Sequence, residues 1–380
     1  MTNIVRDLEQ PILNKLVPGK VVVLNGARRV GKTYLLQQIR NSLKEPVLML
    51  NGEDFSTHEL LGRQTVSNYR QLLGIHKILI VDEAQRVPGI GDKLKLMIDE
   101  IEGLRILISG SSAFSTTRGA GDSLTGRRYT FTLAPFSEKE WDQVIGMTDR
   151  RDHLLRRLIM GSYPELLKLP GDREQQDYLK ELAENYLIQD LLAYDQVRNS
   201  SKILALLRLL AFQIGSEVSV NELGKQLSMS KNTVERYLDI LSKLFILYKV
   251  EGFSRNLRKE VSKSCRWYFT DNGIRNSVIS NFNPVHMRDD VGALWENFMI
   301  MERLKAQGRN RMAVNNYFWR TYDQQEIDWV EETGGTLHAC EIKWHKPRLK
   351  PPRAWSEAYP SAEFRSITRD NYREWLMLDK

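Results

Sequence analysis

The chain has 380 residues, 42% of them hydrophobic and 27% charged, with a net charge of +7. That composition excludes a disordered chain, calls for two or three domains, and gives a charge balance that suits a nucleic-acid partner. The only cysteines, Cys265 and Cys340, are far apart and lack metal-ligand spacing, which excludes a disulfide framework and a zinc site. No apolar run approaches the ~18 residues of a membrane span. The opening "MTNIVRDLEQ" carries charges and no apolar signal core, so a reducing, cytoplasmic setting is expected.

Strand-like apolar runs alternate with helical spacing through the first part of the chain. "KVVVLNG", "EPVLMLNG", "KILIVDEA", "LRILISGSS" and "RRYTFTLAPF" read as strands. "KTYLLQQIRNSL", "VSNYRQLL" and "GDKLKLMIDEI" read as the helices between them. The alternation predicts an α/β domain over residues 1–147 with a parallel sheet covered on both faces.

Residues Gly26 to Thr33, "GARRVGKT", fit G-x-x-x-x-G-K-[ST]. A strand precedes them and a helix follows, the context a phosphate-binding loop needs. Glycines let successive N–H groups turn toward phosphate oxygens, and the helix N-terminus adds a positive dipole end. In that reading Gly26 and Gly31 shape the loop, Lys32 reaches the β- and γ-phosphates, and Thr33 holds Mg²⁺. A second carboxylate element is then required, and "ILIVDEA" supplies it: Asp82 for the metal through water, Glu83 as general base. Ser109, Ser111 and Ser112 at the end of the next strand are candidates to sense the γ-phosphate, or are turn formers. Arg127 and Arg128, with Arg118, are candidates to reach a γ-phosphate in their own chain or in a neighbouring subunit, or are surface arginines.

Residues 148–216 read as helical throughout. Residues 217–290 hold a short helix, a turn at "SMS", a longer helix from Lys231 to Phe245 and strand-like residues, the outline of a winged helix-turn-helix. Val234, Leu238, Leu241, Leu244 and Phe245 form its apolar face. Ser230, Lys231, Asn232, Thr233 and Arg236 fall at the end that meets bases and phosphates in a recognition helix. Arg255, Arg258, Lys259, Lys263 and Arg266 add basic charge, though winged helices also serve as protein-binding modules.

The last block, 291–380, opens with a helix, "ALWENFMIMERLKAQG". Three strands follow in "NNYFWRTYDQQEIDWVEETGGTLHACEIKW", with a Gly-Gly turn between the second and third. Glu341 and Lys343 alternate onto one strand face, where Asp328 of the neighbouring strand meets them. With helix residue Glu296 they read as a Mg²⁺-dependent phosphodiesterase site in which Glu296, Asp328 and Glu341 hold metal and Lys343 steadies phosphate charge. The alternative is an inherited fold with ion pairs and no cleavage.

With those residues in place, the chain resembles the prokaryotic AAA-type ATPases that carry an AAA_14 domain followed by a DUF4143 domain. "GARRVGKT", "LIVDEAQRVP", "ISGSS", "SLTGRR", "LAPFSEKEW", "GSYPELL", "TVERYLDILSKLFIL", "YFTDNGIRN", "WENFMIMERL" and "EIDWV…EIKW" match the pattern in order over nearly the whole chain. The resemblance implies an ASCE-type P-loop NTPase domain, then a helical and winged-helix domain, then an α/β PD-(D/E)xK nuclease-like domain. It implies ATP and Mg²⁺ as cofactors, with Lys32, Thr33, Asp82 and Glu83 as the ATPase residues. Arg28 becomes the family's usual P-loop arginine and Arg127 its usual post-sensor arginine. Glu296, Asp328, Glu341 and Lys343 match the nuclease motif. AAA-type ATPases form rings, so a homo-oligomer is implied, with a hexamer as the ring size to test. Three functions follow from the sequence: a motor that moves or remodels duplex, forked or four-way DNA; an ATP-controlled signalling or defence switch; and a scaffold, against which intact Lys32, Asp82 and Glu83 argue.

Overall fold

The computed structural model describes residues 4–110, 123–146, 148–186, 200–255 and 264–377. Ser111, Ser112, Arg118, Arg258, Lys259 and Lys263 lie outside the described residues. The chain divides into two compact units, Met1–Phe136 and Ser137–Lys380.

In the first unit, β1 (Val21–Gly26), β2 (Val47–Asn51), β3 (Ile78–Asp82), β4 (Arg105–Gly110) and β5 (Arg128–Leu133) form one sheet in the order β2-β3-β4-β1-β5. Every neighbouring pair is parallel. The helices are α1 (Glu9–Leu13), α2 (Lys32–Ser42), α3 (Phe55–Gly62), α4 (Val66–Leu73) and α5 (Ile90–Glu100). Each predicted strand and helix of this region is present. Continuous Val/Ile/Leu runs form these strands because a parallel sheet is buried on both sides; every residue of β1 and β3 is buried. Val81, Ile106 and Ile108 pack with Tyr69 and Leu73 of α4 and with Leu94 and Met97 of α5. Because the strands are parallel, Gly26, Asn51, Asp82 and Gly110 all end at one edge of the sheet.

The second unit holds α6 (Glu138–Trp141), α7 (Arg150–Met160), α8 (Asp172–Glu181), α9 (Ser200–Phe212), α10 (Val220–Leu227) and α11 (Lys231–Lys243). Then come β6 (Leu247–Gly252), β7 (Cys265–Phe269), α12 (Asn272–Val278), α13 (Val291–Arg309), β8 (Asn315–Arg320), β9 (Glu326–Thr333) and β10 (Thr336–Ile342). It closes with α14 (Arg353–Ala358), β11 (Glu363–Ile367) and α15 (Tyr372–Leu376). Its six strands run in the order β11-β10-β9-β8-β6-β7. Gly334 and Gly335, both at positive φ, make the expected turn between β9 and β10.

The boundaries expected at 147/148, 216/217 and 290/291 do not coincide with the division into compact units. The second unit begins at Ser137, because Glu138 pairs with the buried Arg157 of α7. The segment 217–290 is not separate from 291–380: β6 pairs in parallel with β8, Glu251 opposite Tyr317 and Gly252 opposite Phe318. The expected wing is therefore two strands of a larger sheet, and a single β-bridge ties Glu217 to Arg266 of β7.

Helix α13 has polar side chains on its buried face, and long-range partners satisfy them. Asn297 accepts the Phe269 N–H (2.8 Å) and donates to the Phe269 carbonyl (2.9 Å). Arg303 makes a two-bond fork to Glu331 at 2.6 and 2.7 Å. The motif "YFTDNGIRN" is likewise structural: the Asp271 carboxylate accepts the N–H groups of Ser162 (2.7 Å), Gly273 (2.8 Å) and Ile274 (3.2 Å). Burial holds the Asp271 carboxyl above its usual range despite those three donors.

Candidate functional site

Strand β1 runs into the glycine loop, and α2 starts at Lys32 behind Gly31, which sits at φ 94° with no side-chain cap on the helix. Gly26 lies so close to β5 that a Cβ there would stand 2.4 Å from the Leu133 carbonyl oxygen. Arg29 takes the left-handed conformation, φ 63°, inside the loop. The Lys32 ammonium is buried and donates to the carbonyls of Gly26 (3.1 Å) and Ala27 (3.0 Å), so it lies within the curl of the loop.

Asp82 ends β3, with β4 standing between it and β1. The Thr33 hydroxyl donates to Asp82 Oδ2 at 2.6 Å. Ser109, at the end of β4, donates to Asp82 Oδ1 and accepts the Glu83 N–H at 3.0 Å. Helix α2 and strands β3 and β4 thus bring a hydroxyl, a carboxylate and a second hydroxyl to one point. Glu83 sits in the left-handed region, φ 49°, and its carboxylate accepts a 2.5 Å bond from Gln85 Nε2. The loop and the hydroxyl–carboxylate pair are a donor set that fits a nucleoside triphosphate with Mg²⁺.

Two supporting residues escape sequence reasoning. Arg6 is almost fully buried and donates to the Val30 carbonyl at 2.6 Å and the Ala134 carbonyl at 2.9 Å, bracing the loop. Gly52, after β2, donates its N–H to the Asp82 carbonyl at 2.8 Å. A Cβ on Gly52 would meet the Glu83 carbonyl oxygen at 2.4 Å. Neither belongs to a local motif; a glycine directly after a strand is the one faint signal.

Arg127 lies at the end of the sheet opposite the glycine loop. It precedes β5, and its carbonyl accepts the Val21 N–H at 2.9 Å, at the start of β1. The glycine loop follows the other end of β1, about 17 Å away at 3.3 Å per strand residue. The Arg127 guanidinium pairs with Asp99 there.

On α11, Ser230 caps the helix by accepting the Thr233 N–H (3.2 Å), and the Ser230 and Thr233 hydroxyls share a 2.8 Å bond. Val234, Tyr237, Leu238, Ile240 and Leu241 are buried, which leaves Lys231, Asn232 and Arg236 exposed. Lys231 lies 3.5 Å from Glu235, and Lys243 lies 2.7 Å from Asp239, so the exposed face largely neutralises itself. Arg255 pairs with Glu332 at 2.9 Å. Arg266, read from sequence as a basic contact for nucleic acid, is instead buried inside the acidic cluster.

That cluster does form. Asp328 on β9 and Glu341 on β10 are both almost fully buried, and Lys343 bridges them, 3.1 Å from Asp328 Oδ2 and 3.0 Å from Glu341 Oε1. Asp328 Oδ2 also accepts the Ile342 N–H at 2.8 Å. Glu296 Oε1 accepts the Tyr268 hydroxyl at 2.7 Å. Burial and the neighbouring Asp328 carboxylate push Glu296 up to about 8, against the pull of Arg266 and the Tyr268 hydrogen bond. Burial and Asp328 also raise Glu341, against Lys343 and Arg348.

The expectation that Glu296, Asp328 and Glu341 hold Mg²⁺ is corrected. Among the described residues no three His, Cys, Asp or Glu side chains are placed to hold a metal ion. The oxygens face Arg266, Lys343, Arg348, the Tyr268 hydroxyl and the Ile342 N–H, and Glu341 Oε2 is buried without a hydrogen bond. Positive side chains stand where a divalent ion would sit among these carboxylates.

The chain matches an AAA domain (AAA_14) over residues 18–141 and a domain of unknown function (DUF4143) over 291–371. The chain carries an AAA_14 domain and a DUF4143 domain, the architecture of an AAA-type P-loop ATPase. A second domain of unknown function, DUF8612, matches residues 151–285. An uncharacterized protein of Mycobacterium tuberculosis is 25% identical over 342 residues, 89% of this chain and 73% of its own length. One from Haemophilus influenzae is 23% identical over 359 residues, 86% of this chain and 83% of its own. Among solved structures, a RuvB mutant of Thermotoga maritima is 16% identical, covers 65% of this chain and 90% of its own, and has a TM-score of 0.30. The Pif1 helicase of Candida albicans is 17% identical, covers 48% and 54%, and has a TM-score of 0.28. At those scores neither carries a functional argument. An AAA domain brings ATP and Mg²⁺ binding in general. Among the described residues no helix is long and apolar enough to cross a membrane.

Proposed function

We propose that the AAA domain hydrolyses ATP in a homo-oligomer, and that the chain grips DNA and couples turnover to remodelling of, or movement on, duplex or branched DNA. The observation that carries the ATPase part is the 2.6 Å bond between Thr33 and Asp82, which joins the glycine loop to the β3 carboxylate. In this reading Lys32 leaves the carbonyls of Gly26 and Ala27 for phosphate oxygens, while Thr33 and Asp82 hold Mg²⁺. When bound, Mg²⁺ neutralises charge that develops on the transferred phosphoryl group. Glu83, steadied by Gln85, takes the proton of the attacking water. Ser109 keeps Asp82 oriented. Arg127, remote from its own loop, serves the site of a neighbouring subunit, so hydrolysis depends on assembly.

The DNA part rests on the order α9, β-bridge at Glu217, α10, α11, β6, β7, which follows the outline expected of a winged helix, and on the exposed Lys231, Asn232 and Arg236. The ion pairs on the same face favour a second reading. A helix so nearly neutral makes few phosphate contacts, which suits a slow ATP-controlled switch that binds protein partners. Metal-dependent cleavage by the acidic cluster forms no part of either reading.

Steady-state ATP turnover with Mg²⁺ separates them, measured without DNA and then with single-stranded, duplex, forked and four-way DNA, using Glu83→Gln as the blank. The motor reading expects strong stimulation by one DNA form. Slow turnover indifferent to all of them refutes it and favours the switch.

A further inference from the structure

Arg266 belongs to β7, outside the residues 291–371 that match DUF4143. It nevertheless supplies the central charge of the acidic cluster. One terminal nitrogen lies 3.6 Å from Glu296 Oε1 and 3.8 Å from Asp328 Oδ1; the other lies 2.7 Å from Glu326 Oε2. The guanidinium also covers the Phe318 ring, 4.6 Å from its centre. Two residues further along the same strand, Tyr268 reaches Glu296 at 2.7 Å. Side chains two apart on a strand share a face, so β7 presents both groups to the carboxylates together. Gly215 lets that approach happen: a Cβ there would stand 3.1 Å from Glu296 Oε1.

A divalent ion and a guanidinium compete for the same oxygens. Lysine can yield by losing its proton in a buried site, whereas arginine stays charged. Lys343 is half exposed and able to move, whereas Arg266 is buried and held by three carboxylates.

We infer that Arg266 is a built-in cation standing where the carboxylates of Glu296 and Asp328 would otherwise draw a divalent ion. It latches the helix-turn-helix segment, through β7, onto the C-terminal sheet. Removing its charge while keeping a hydrogen-bonding side chain frees oxygens of Glu296 and Asp328 and turns a latch into a metal site.

The test is Mn²⁺ uptake by the full chain without nucleotide, followed by electron paramagnetic resonance. Wild type, Arg266→Gln, and each of these with Asp328→Asn are compared. Arg266→Gln is expected to gain one Mn²⁺ site that Asp328→Asn removes, at least about tenfold tighter than any Asp328-dependent uptake by wild type. Mn²⁺ is expected to raise the melting temperature of Arg266→Gln and to leave that of wild type unchanged. Wild type that binds Mn²⁺ through Asp328 as tightly as the variant overturns the inference, as does a folded variant that gains no site. Should Arg266→Gln fail to fold, it is refolded in millimolar Mn²⁺. Recovery supports the inference and its absence overturns it. Because no nucleotide is present, either outcome leaves the ATPase reading untouched.

Discussion

Gly52→Ala adds one methyl group at a confined point of the proposed ATPase site. The new Cβ would fall 2.4 Å from the Glu83 carbonyl oxygen, 3.0 Å from its carbon and 3.1 Å from the Asp82 carbonyl oxygen. All three are backbone atoms, so no side chain can swing aside. Real contacts of this kind essentially never fall below 3.0 Å, so the turn carrying Glu83 must retreat by more than about half an ångström. Gly52 is not at positive φ, so alanine adds no backbone strain of its own. Overpacking of this size costs roughly 1–3 kcal/mol of stability. Displacing a carboxylate that activates water, the role proposed for Glu83, by about an ångström costs on the order of a hundredfold in turnover. The expected result is ATP turnover lowered by about tenfold to a hundredfold with nucleotide affinity nearly unchanged, since the glycine loop and Lys32 are untouched. Turnover is measured at saturating ATP, affinity with a fluorescent ATP analogue, and folding by urea titration. A folded Gly52→Ala protein that turns over within about twofold of wild type would refute the coupling of this contact to Glu83.

Arg157 is buried between Glu138, Glu302 (3.1 Å) and the Ser162 hydroxyl (3.2 Å). Arg157→Met leaves two buried carboxylates without their shared cation and is expected to lower stability by about 3–5 kcal/mol, read by urea unfolding. Burial works to raise the Glu138 carboxyl, but Arg157, Tyr372 and Arg373 hold it below its usual 4.5. Its contribution to stability is therefore present above pH 4.5 and lost as pH falls through the folded value. Glu138→Gln should flatten the acid limb of the unfolding curve; an unchanged limb would show that other groups set it. On α11, Lys231→Ala with Arg236→Ala is expected to weaken binding to every DNA form alike, and to reduce the salt slope by about two or less, because Lys231 is already paired with Glu235. A change confined to one DNA sequence would contradict that.

The first unit was legible because its signals are local. Each strand is a continuous apolar run and the glycine loop is one uninterrupted motif, so Lys32, Thr33 and Asp82 come together as their spacing demands. The β9–β10 hairpin was legible for the same reason, through Gly334 and Gly335. The second unit depends on pairs that sequence spacing does not display. Arg266 and Glu326 are 60 positions apart, and Arg157 and Glu302 are 145 apart. In a row of basic residues a buried arginine looks like its exposed neighbours. The parallel pairing of β6 with β8 spans α12 and α13, and no turn residue announces it. Arg127 sits in a recognisable motif, yet only the parallel register puts it at the far edge of the sheet.

The pairing of β6 with β8 also determines where this chain can be cut. A fragment beginning at Val291 would keep β8 through β11 but strip away β6 and β7, leaving a row of β8 backbone donors and acceptors open to any passing strand. It would also leave Glu296, Glu326 and Asp328 without their guanidinium. Such a fragment is built to stick to itself. The junction at Phe136 and Ser137 divides no sheet, so shuffling, fusion and dissection of this protein have their natural seam there, ahead of both domains of unknown function.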